Sequence, residues 1–431
     1  MVDGKSGADV VVVGAGIVGV CAAYELARSG VNVRLLDKGI VCDLQSSRNW
    51  GFVRRQGCDP LEVDLVQLAA QRWDQIGAEL GPDLTLVRSG LVTVEEDEAG
   101  MDRHRAWLSQ TGADDRFGTR LVGADEVRDL VPVLQGEWAG GLFTPTDGHA
   151  DPAVAGRVIA DAARRHGAVI EEGVTVTGIT TAAGRVTGVS TSTGMVSASS
   201  VIVAAGAWTG SLLRPLGLSL PVRWIRATAA RTTAAAPVTE LAVHVPGVGF
   251  SQAHDGSVVF GSAAWSDYDI GIGTLGNLRL FLPNFARNRK MIRLHLNEVL
   301  LQDLRRRLAR NPRPEERFDW PRMDDPPPNR HKIALAHQRL TAVVPGLAGS
   351  KIARAWAGTV DVTPDALPVV APVEQYAGLV VAAGLSSHGF GIGPGVASVA
   401  VALATGDPAP VDIREFRLER FAEGPIRAHH H

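Results

Sequence analysis

Two glycine-rich turns, one near each end of the 431-residue chain, hold the residues whose types and spacing are best suited to chemistry. The first is Gly14-Ala15-Gly16-Ile17-Val18-Gly19. Here Gly14 permits a tight turn, Gly16 lets a pyrophosphate approach the backbone, and Gly19 lets a helix pack on the preceding strand. Asp37 ends the next predicted strand, where its carboxylate can bind an adenosine ribose and disfavours a 2′-phosphate. The motif predicts a dinucleotide site compatible with FAD or NAD; the competing interpretation is a turn without a ligand.

The second turn lies between Ala383 and Gly395, where a predicted strand ends and a small-residue helix is predicted to begin at Pro394. A helix N-terminus presents free N–H groups and the positive end of the helix dipole. A reduced flavin carries negative charge around its N1–C2 carbonyl region, so a helix start at that place stabilises the reduced form. An NAD enzyme has no such need, and the second turn therefore favours FAD.

Four stretches of the chain together resemble the D-amino-acid oxidase superfamily, and most closely its sarcosine oxidase, glycine oxidase and opine oxidase-like branches. They are Gly14 to Gly19, Ala204 to Trp208, Thr363-Pro364-Asp365 with Pro368, and His388-Gly389-Phe390. The resemblance covers nearly the whole chain. It implies an enzyme that transfers a hydride from the substrate Cα to flavin N5, giving an imine that water hydrolyses.

The motifs and the resemblance also assign residues to the cofactor. The resemblance implies that the loop from Ser46 to Trp50 lies along FAD, that Val174 contacts the adenine through its backbone, and that Gly358 with the second turn lines the flavin ring. The predicted cofactor-binding residues are Gly14, Ala15, Gly16, Ile17, Val18, Gly19, Asp37, Lys38, Ser46, Ser47, Arg48, Asn49, Trp50, Gly51, Val174, Ala205, Gly206, Trp208, Gly358, His388, Gly389, Phe390, Gly391, Ile392 and Gly393. Some relatives attach FAD through a cysteine or histidine near Trp356 or Arg48. This chain has neither there, which predicts non-covalent FAD.

A carboxylate substrate requires a bidentate arginine, and the chain offers two pairs. Arg54 and Arg55 are the first candidates and Arg223 and Arg226 the second; a surface salt bridge is the alternative interpretation for each. The predicted catalytic residues are Arg54, His388 and Trp356, although a structural histidine and a core tryptophan are the ordinary alternatives. Monomeric sarcosine oxidase has a lysine where this chain has Gly391, which argues against an N-methylglycine substrate.

Hydrophobic patterning predicts the elements that hold these residues. Asp9 to Val13, Val20 to Ser29 and Val31 to Leu36 form a strand–helix–strand unit, and further buried strands end near residues 203 and 383. Strand patterns dominate from Val222 to Gly261 and helical ones from Leu275 to Arg310. The fold class is α/β: an FAD-binding Rossmann-like parallel-sheet domain (1–80, 151–210 and 351–431) with a second mixed, largely antiparallel β-sheet substrate domain (81–150 and 211–350).

Composition limits the remaining possibilities. The net charge of −3 does not favour nucleic acid or an anionic membrane, and the cluster of Arg305 to Arg307 with Arg310 is interpreted as a solvated helix face. Three cysteines without a CxxC pair predict neither disulfides nor a zinc site, and we predict no metal. The sequence contains no apolar run of the ~20 residues that a membrane helix needs, and no secretory signal is visible. We therefore expect a cytoplasmic protein; His429 to His431 are set aside as a tag.

Four functions stay open at this point. The first is oxidation of the C–N bond of an amino acid or a carboxylated secondary amine, with oxygen or another electron acceptor. The second is oxidation of a 2-hydroxy acid, the third is a flavin subunit of a larger dehydrogenase complex, and the fourth is a tailoring oxidase of natural products. The substrate's stereochemistry, the homo- or hetero-oligomeric state and the role of residues 267–330 are not encoded in any motif.

Overall fold

The computed structural model describes residues 7–262, 264–271, 274, 276–308, 326–424 and 426. Its helices are α1 (Ile17–Arg28), α2 (Val63–Leu80), α3 (Glu98–Thr111), α4 (Ala113–Phe117), α5 (Ala124–Leu130), α6 (Pro152–Arg165), α7 (Thr209–Leu213), α8 (Leu278–Asn288), α9 (Glu298–Leu308), α10 (Arg330–Val343) and α11 (Gly389–Thr405). Its strands are β1 (Gly7–Val13), β2 (Val33–Leu36), β3 (Phe52–Val53), β4 (Leu91–Glu95), β5 (Arg120–Gly123), β6 (Gly140–Thr144), β7 (Gly148–His149), β8 (Val169–Glu171), β9 (Val176–Ala182), β10 (Arg185–Thr191), β11 (Gly194–Val203), β12 (Arg223–Thr232), β13 (Ala242–Val245), β14 (Val248–Gln252), β15 (Val258–Gly261), β16 (Ser266–Asp269), β17 (Ile292–His295), β18 (Ile352–Val362), β19 (Val369–Pro372) and β20 (Leu379–Ala383).

The first sheet has the strand order β19-β20-β11-β1-β2-β8, and the five strands from β20 to β8 run parallel. Val12 pairs with Ile202 on one side and with Leu35 on the other, and all three side chains are buried. Strands that are covered on both faces have continuous apolar sequences, and β1 and β11 have such sequences around Val12 and Ile202. The prediction that distant pieces of the chain build one parallel sheet is confirmed.

Helices α1, α2, α6 and α11 pack together on this sheet. The second turn departs from its prediction, because α11 begins at Gly389 and not at Pro394, which lies inside the helix. The first four N–H groups of a helix have no intrahelical partner, so a proline just beyond them costs a single hydrogen bond. The extra turn lets Gly393 contact Ile17 of α1 and Gly395 contact Ala69 of α2.

The second sheet has the order β17-β16-β12-β15-β14-β13-β4-β6-β5, with β18 paired to β12. Most neighbours are antiparallel, and the parallel pairs are β13–β4 and β16–β17. Backbone pairing places Ala229, Gly261, Gly249, His244 and Thr93 side by side across five strands. The predicted fold class, a parallel-sheet domain with a largely antiparallel second sheet, is confirmed, while the residue boundaries of the two domains stay a prediction.

The stretch predicted to be helical from Leu275 to Arg310 is interrupted. The strand β17 separates α8 from α9 and pairs with β16, so the helical prediction was wrong there. The reason is local alternation, because Ile292 and Leu294 are separated by a charged residue, which is the strand period of two. Residues 309 and 310 lie outside the described part, as do His429 to His431, and of the predicted arginine cluster only the exposed Arg305 is described by its side chain. None of the described helices has the length and apolarity to cross a membrane.

Candidate active site

A long cleft opens along the carboxyl ends of β1, β11 and β20. It is bounded at one end by the turn between β1 and α1 and at the other by the turn before α11. Fifteen predicted cofactor residues line it: Gly14, Ala15, Gly16, Ile17, Val18, Asp37, Lys38, Ser46, Asn49, Val174, Ala205, Gly206, Trp208, Gly389 and Phe390. Ligands of open parallel sheets bind at this edge, outside the carboxyl ends of the strands. The two glycine turns thus share one cleft.

The first turn is held by close backbone contacts. Gly14 has a φ of +102°, and a Cβ there would lie 2.4 Å from the carbonyl oxygen of Ala204, so no larger residue fits without a shift. The Ala15 N–H donates to the Asp37 carboxylate (2.6 Å) and the Ile17 N–H to the Ser46 hydroxyl (2.9 Å). Burial raises the pKa of Asp37, while backbone N–H groups of Ala15 and Gly39 oppose that shift. This is a site that presents N–H donors and one carboxylate.

The loop between β2 and β3 carries a hydrogen-bonding residue that the sequence analysis missed. The Gln45 side chain donates to the carbonyl oxygen of Thr359 (3.1 Å) and to the Asp361 carboxylate (2.9 Å), and accepts from the Ala207 N–H (3.0 Å). Gln45 therefore ties together three chain segments that line the cleft. A glutamine in a loop has no motif of its own, so only the resemblance of its neighbours pointed to this place.

The remaining residues of that loop shape it from within. Asn49 donates to the Ser46 carbonyl oxygen (2.6 Å) and accepts from the Gly51 N–H (2.7 Å), while the Ser47 hydroxyl donates to the Leu44 carbonyl oxygen (3.3 Å). Of these, Ser46 and Asn49 line the cleft, and Ser47 and Gly51 do not.

Two predicted residues meet where β18 passes under this loop. The position that a Cβ of Gly358 would take lies 2.5 Å from the Cβ of Arg48, so Gly358 makes room for that side chain. The indole of Trp356 donates to the Arg48 carbonyl oxygen (3.0 Å). Neither Arg48, Trp356 nor Gly358 lines the cleft, and the observed contacts of Trp356 position the loop. Its predicted catalytic role stays a prediction.

The middle of the cleft is formed by Val174, Ala205, Gly206, Lys38 and Trp208. The Val174 N–H donates to the backbone carbonyl of Asp37 (2.8 Å), and the Lys38 ammonium lies 4.0 Å from the centre of a Trp208 ring. The indole N–H of Trp208 is buried without a hydrogen-bond partner among the described residues, and so is the hydroxyl of Thr359, which also lines the cleft. Buried polar atoms without partners are uncommon in native proteins, and these two belong to residues of the cleft wall.

The second turn is braced by a buried carboxylate. Asp361 accepts a hydrogen bond from the Gly384 N–H (2.9 Å), and burial raises the pKa of Asp361. Ser386 and Ser387 adopt φ values of +45° and +78°. Gly389 and Phe390 line the cleft. Four other predicted cofactor residues do not line it: Gly19, Gly391, Ile392 and Gly393.

Arg54 is the candidate substrate residue with the clearest geometry. Many protein atoms surround its side chain, which is nevertheless exposed to solvent. Its guanidinium donates to the Gln56 carbonyl oxygen (2.8 Å), and no carboxylate of the described residues forms an ion pair with it. Burial lowers the pKa of Arg54, which reflects the cost of holding a desolvated cation.

The other candidate arginines are engaged elsewhere. Arg55 forms a buried ion pair with Asp147 (3.3 Å). Arg226 pairs with Asp269 (3.1 Å), and Arg223 donates to the Thr274 carbonyl oxygen (2.8 Å) and stacks on Phe281. The alternative interpretation, a surface salt bridge, does not describe them either: the Arg55 pair is buried, the Arg226 pair is largely buried, and Arg223 binds a backbone carbonyl.

Glu62, His244 and His388 are close enough to Arg54 for their charges to interact with it, and Trp50 lies beside His244. We call the five residues Arg54, Trp50, Glu62, His244 and His388 the Arg54 cluster. Burial first and the charge of Arg54 next lower the pKa of His244 to about 4. Trp50 lies beside His244 over the second sheet, where Gly249 and Gly261 leave room for its indole. His388 binds Glu62 (2.8 Å); burial alone would lower its pKa, but the Glu62 charge and hydrogen bond outweigh burial and raise it.

Comparison with known proteins decides the family. The family model described as DAO, FAD dependent oxidoreductase, matches residues 9–403. The chain belongs to the DAO family of FAD-dependent oxidoreductases. The predicted resemblance, the predicted enzyme class and the predicted cofactor FAD are confirmed.

Relatives of this DAO-family chain act on amino acids, by their names. Glycine oxidase from Geobacillus kaustophilus is 28% identical over 247 residues, which are 54% of this chain and 64% of that protein, so the match spans less than two thirds of its length. D-amino acid dehydrogenase from Rhizobium johnstonii is 26% identical over 96% of this chain and 99% of its own. The solved structure of L-amino acid deaminase from Proteus vulgaris superposes with a TM-score of 0.88 at 27% identity, covering 96% of this chain and 97% of that one.

The cleft of this DAO-family protein fits the FAD that its family requires. The first turn offers backbone N–H groups at a helix start for a pyrophosphate, and Asp37 offers a carboxylate for a ribose. At the far end, the first residues of α11, Gly389 and Phe390, line the cleft, so the N-terminus of this helix lies at its edge. The two helix starts thus lie at opposite ends of a cleft that suits an extended dinucleotide.

Proposed function

We propose that this protein oxidises the C–N bond of an amino acid or a carboxylated secondary amine, giving an imine that water hydrolyses. The observation that carries the proposal is Arg54, a solvent-exposed cation that forms no ion pair with any carboxylate of the described residues. Supporting it, relatives that match nearly the full chain are named for acting on D- and L-amino acids. When bound, FAD supplies the hydride acceptor at N5 of its ring.

Arg54 is proposed to bind the substrate carboxylate. A guanidinium offers two parallel N–H donors that match a carboxylate in geometry and charge. Since burial already disfavours this cation, an arriving anion recovers part of the lost solvation. The effect is to fix the substrate at one end, which orients its Cα.

Trp50 and His244 are proposed to form the wall beside the substrate. A ring with a pKa of about 4 is neutral at physiological pH, so His244 adds no second positive charge next to Arg54. The Trp50 indole covers the small residues of the second sheet and presents an apolar surface that excludes water. An amine therefore meets a polar but uncharged neighbour on this side.

The experiment is anaerobic reduction of the purified holoenzyme, followed by loss of the flavin absorbance. The panel contains glycine, sarcosine and both enantiomers of alanine, proline, leucine and phenylalanine. Each primary amino acid is paired with its 2-hydroxy acid, and every compound is paired with the amine that lacks the carboxylate. We expect an amino acid or a carboxylated amine to bleach the flavin, and its decarboxylated partner to fail.

Other outcomes separate the alternatives. Bleaching by hydroxy acids alone would replace the proposal with hydroxy-acid oxidation. Reduction that is fast with amino acids but followed by slow reoxidation in oxygen would indicate a dehydrogenase that hands electrons to a partner. No reduction by any member of the panel would contradict the proposed substrate class and favour a larger, tailored substrate.

We further propose that FAD is held without a covalent bond. Cys42 is the cysteine that lines the cleft, and burial first and the charge of Asp37 next raise its pKa to about 12. A neutral thiol is a poor nucleophile, so Cys42 is not suited to attack the flavin. Acid precipitation of the protein should release all of the yellow colour into the supernatant, and colour that stays with the pellet would contradict this.

A further inference from the structure

A buried ion pair joins the start of α2 to the start of α11, and no sequence motif marks it. The Oε1 atom of Glu62 lies 2.8 Å from Nε2 of His388, and the Glu62 side chain is 1% exposed. The second carboxylate oxygen of Glu62 accepts a hydrogen bond from the Asp59 N–H (3.2 Å), which completes a capping box at the turn before α2. Both oxygens of Glu62 are therefore used as acceptors.

The geometry around His388 determines where protons reside. Its Nδ1 atom lies 3.1 Å from the backbone carbonyl oxygen of Ser386, and a carbonyl oxygen can only accept, so Nδ1 carries a proton. Its Nε2 atom faces the Glu62 carboxylate, which places a second proton on the line between these two groups. The pair thus holds an imidazolium beside a carboxylate, and the raised pKa of His388 agrees with that assignment.

This imidazolium occupies an electrostatically unfavourable place. His388 is the N-cap residue of α11, where the positive end of the helix dipole disfavours a cation. The charged groups that face it are Glu62 from the segment before α2 and Arg54 from the chain after β3, and Arg54 also disfavours the charge. Glu62 is the group that offsets both. Ser387 and Gly389, the two neighbours of His388 in sequence, line the FAD cleft.

We propose that Glu62 is a positioning residue that holds His388 protonated and fixed at the start of α11, and that this charge raises the midpoint potential of the bound flavin. A reduced flavin is more negative than the oxidised form, so a fixed positive charge near the cleft stabilises the reduced form. The inference rests on the FAD dependence of the family and not on the proposed substrate, and its test needs no substrate.

The test is the midpoint potential of the holoenzyme, measured anaerobically against a reference dye, for wild type, Glu62→Gln, His388→Asn and the double variant. Glutamine keeps the shape of glutamate but removes the charge that holds the imidazolium. We expect Glu62→Gln to shift the balance toward oxidised flavin by about tenfold, which is roughly 30 mV for a two-electron couple. His388→Asn should do the same, and the double variant should add little.

The controls separate positioning from general damage. Glu79→Gln removes a carboxylate of α2 that pairs with Arg28 at the surface, and should leave the potential unchanged. Flavin content and the temperature midpoint of unfolding (Tm) are measured for every variant. If Glu62→Gln does not retain FAD, the midpoint potential is measured against pH for the wild type and for His388→Asn. The wild-type potential should fall more steeply with rising pH around the pKa of His388 than it does elsewhere. His388→Asn should not show this steeper part.

Two results would overturn the proposal. One is a Glu62→Gln variant whose equilibrium constant between oxidised and reduced flavin lies within threefold of the wild-type value. The other is full additivity of the two single variants, since Glu62 would then act without His388. In the pH experiment, the proposal is also overturned if the midpoint potentials of the wild type and of His388→Asn change with pH in the same way.

Discussion

The FAD cleft and the Arg54 cluster are neighbouring sites built in different ways. The cleft is held mainly by backbone groups, such as the Gly14 turn, the N–H groups at the start of α1 and the backbone of Val174. The Arg54 cluster is made of side chains from the segments on both sides of β3, the turn before α2, β13 and the turn before α11. Backbone geometry restricts which residue types fit, so a site built from backbone groups produces a motif in the sequence. A cluster of side chains from distant segments does not produce a motif of its own.

The two sites also treat charge differently. In the cleft, Asp37 and Asp361 each accept backbone hydrogen bonds, which compensate for their burial. In the cluster, Arg54 has no carboxylate partner among the described residues, and His388 requires Glu62 to keep its proton. The carboxylates of the cleft are therefore compensated by backbone contacts, while the charges of the cluster depend on a single contact or on a ligand. Variants of the two sites should fail in different ways.

The largest effect is expected for Gly14→Val in the cleft. Its side chain would collide with the carbonyl of Ala204, and its φ of +102° is strained for valine. We expect FAD affinity to fall by on the order of 100-fold, the equivalent of about 3 kcal/mol. Flavin content after gel filtration measures this, with far-UV circular dichroism to check folding.

The matched control is Gly346→Ala, because a Cβ at Gly346 meets nothing within 4 Å. A folded Gly14→Val protein that stays fully yellow would show that the cleft does not depend on its backbone geometry.

The next effect is expected for Arg54→Leu in the cluster. FAD content should stay unchanged, because Arg54 does not line the cleft. The ratio kcat/KM for a carboxylate substrate should fall by roughly 30-fold, since the loss of one partner of a hydrogen-bonded charge pair costs about 2 kcal/mol at a position that solvent reaches. Steady-state kinetics with the best substrate of the panel measures it.

Arg28→Leu, which removes an exposed arginine of α1, is the matched control and should keep the wild-type kcat/KM. A loss of FAD in Arg54→Leu, or an unchanged kcat/KM, would remove the distinction between the two sites.

The same contrast explains how much could be predicted from the sequence. The parallel sheet, the antiparallel sheet and fifteen cleft residues were predicted, because glycine spacing and apolar runs report backbone geometry directly. Gln45, Glu62 and His244 were missed, because a loop glutamine, a helix-capping glutamate and a strand histidine have no distinctive spacing. Their roles arise only when segments up to some 300 residues apart meet, as Glu62 and His388 do.

The start of α11 shows a second limit of sequence reasoning. Pro394 predicted the first turn of a helix, which is where proline is preferred. Close packing of Gly393 on Ile17 and of Gly395 on Ala69 instead favours a helix that starts at Gly389. Tertiary packing outweighed the local preference of a single residue, and this moved the helix N-terminus to the edge of the cleft.

A smaller effect is expected for Gly261→Ala, which tests the wall of the cluster. The new Cβ would lie 2.2 Å from the indole of Trp50, so the ring must move away from the sheet. Since misplacement by about 1 Å can cost up to about 100-fold in rate, we expect a loss of roughly 10-fold in kcat with normal FAD content.

Gly349→Ala, where a Cβ has open space, is the control for Gly261→Ala. If kcat is unchanged although a crystal structure shows that Trp50 has moved, the indole does not form the substrate wall.

The smallest effect concerns the pH dependence of stability at His244. Its pKa of about 4 lies below the ordinary value of about 6.5, so between these two values the unfolded chain binds a proton that the folded protein does not. The free energy of unfolding therefore falls as the pH is lowered through this window, and His244→Gln should lose less stability there than the wild type. Urea unfolding at several pH values measures the difference, with the exposed His254→Gln as control. Equal pH dependence in His244→Gln and wild type would mean that the pKa of His244 is the same in the folded and unfolded protein, and the claim that its surroundings keep this ring neutral beside Arg54 would then be wrong.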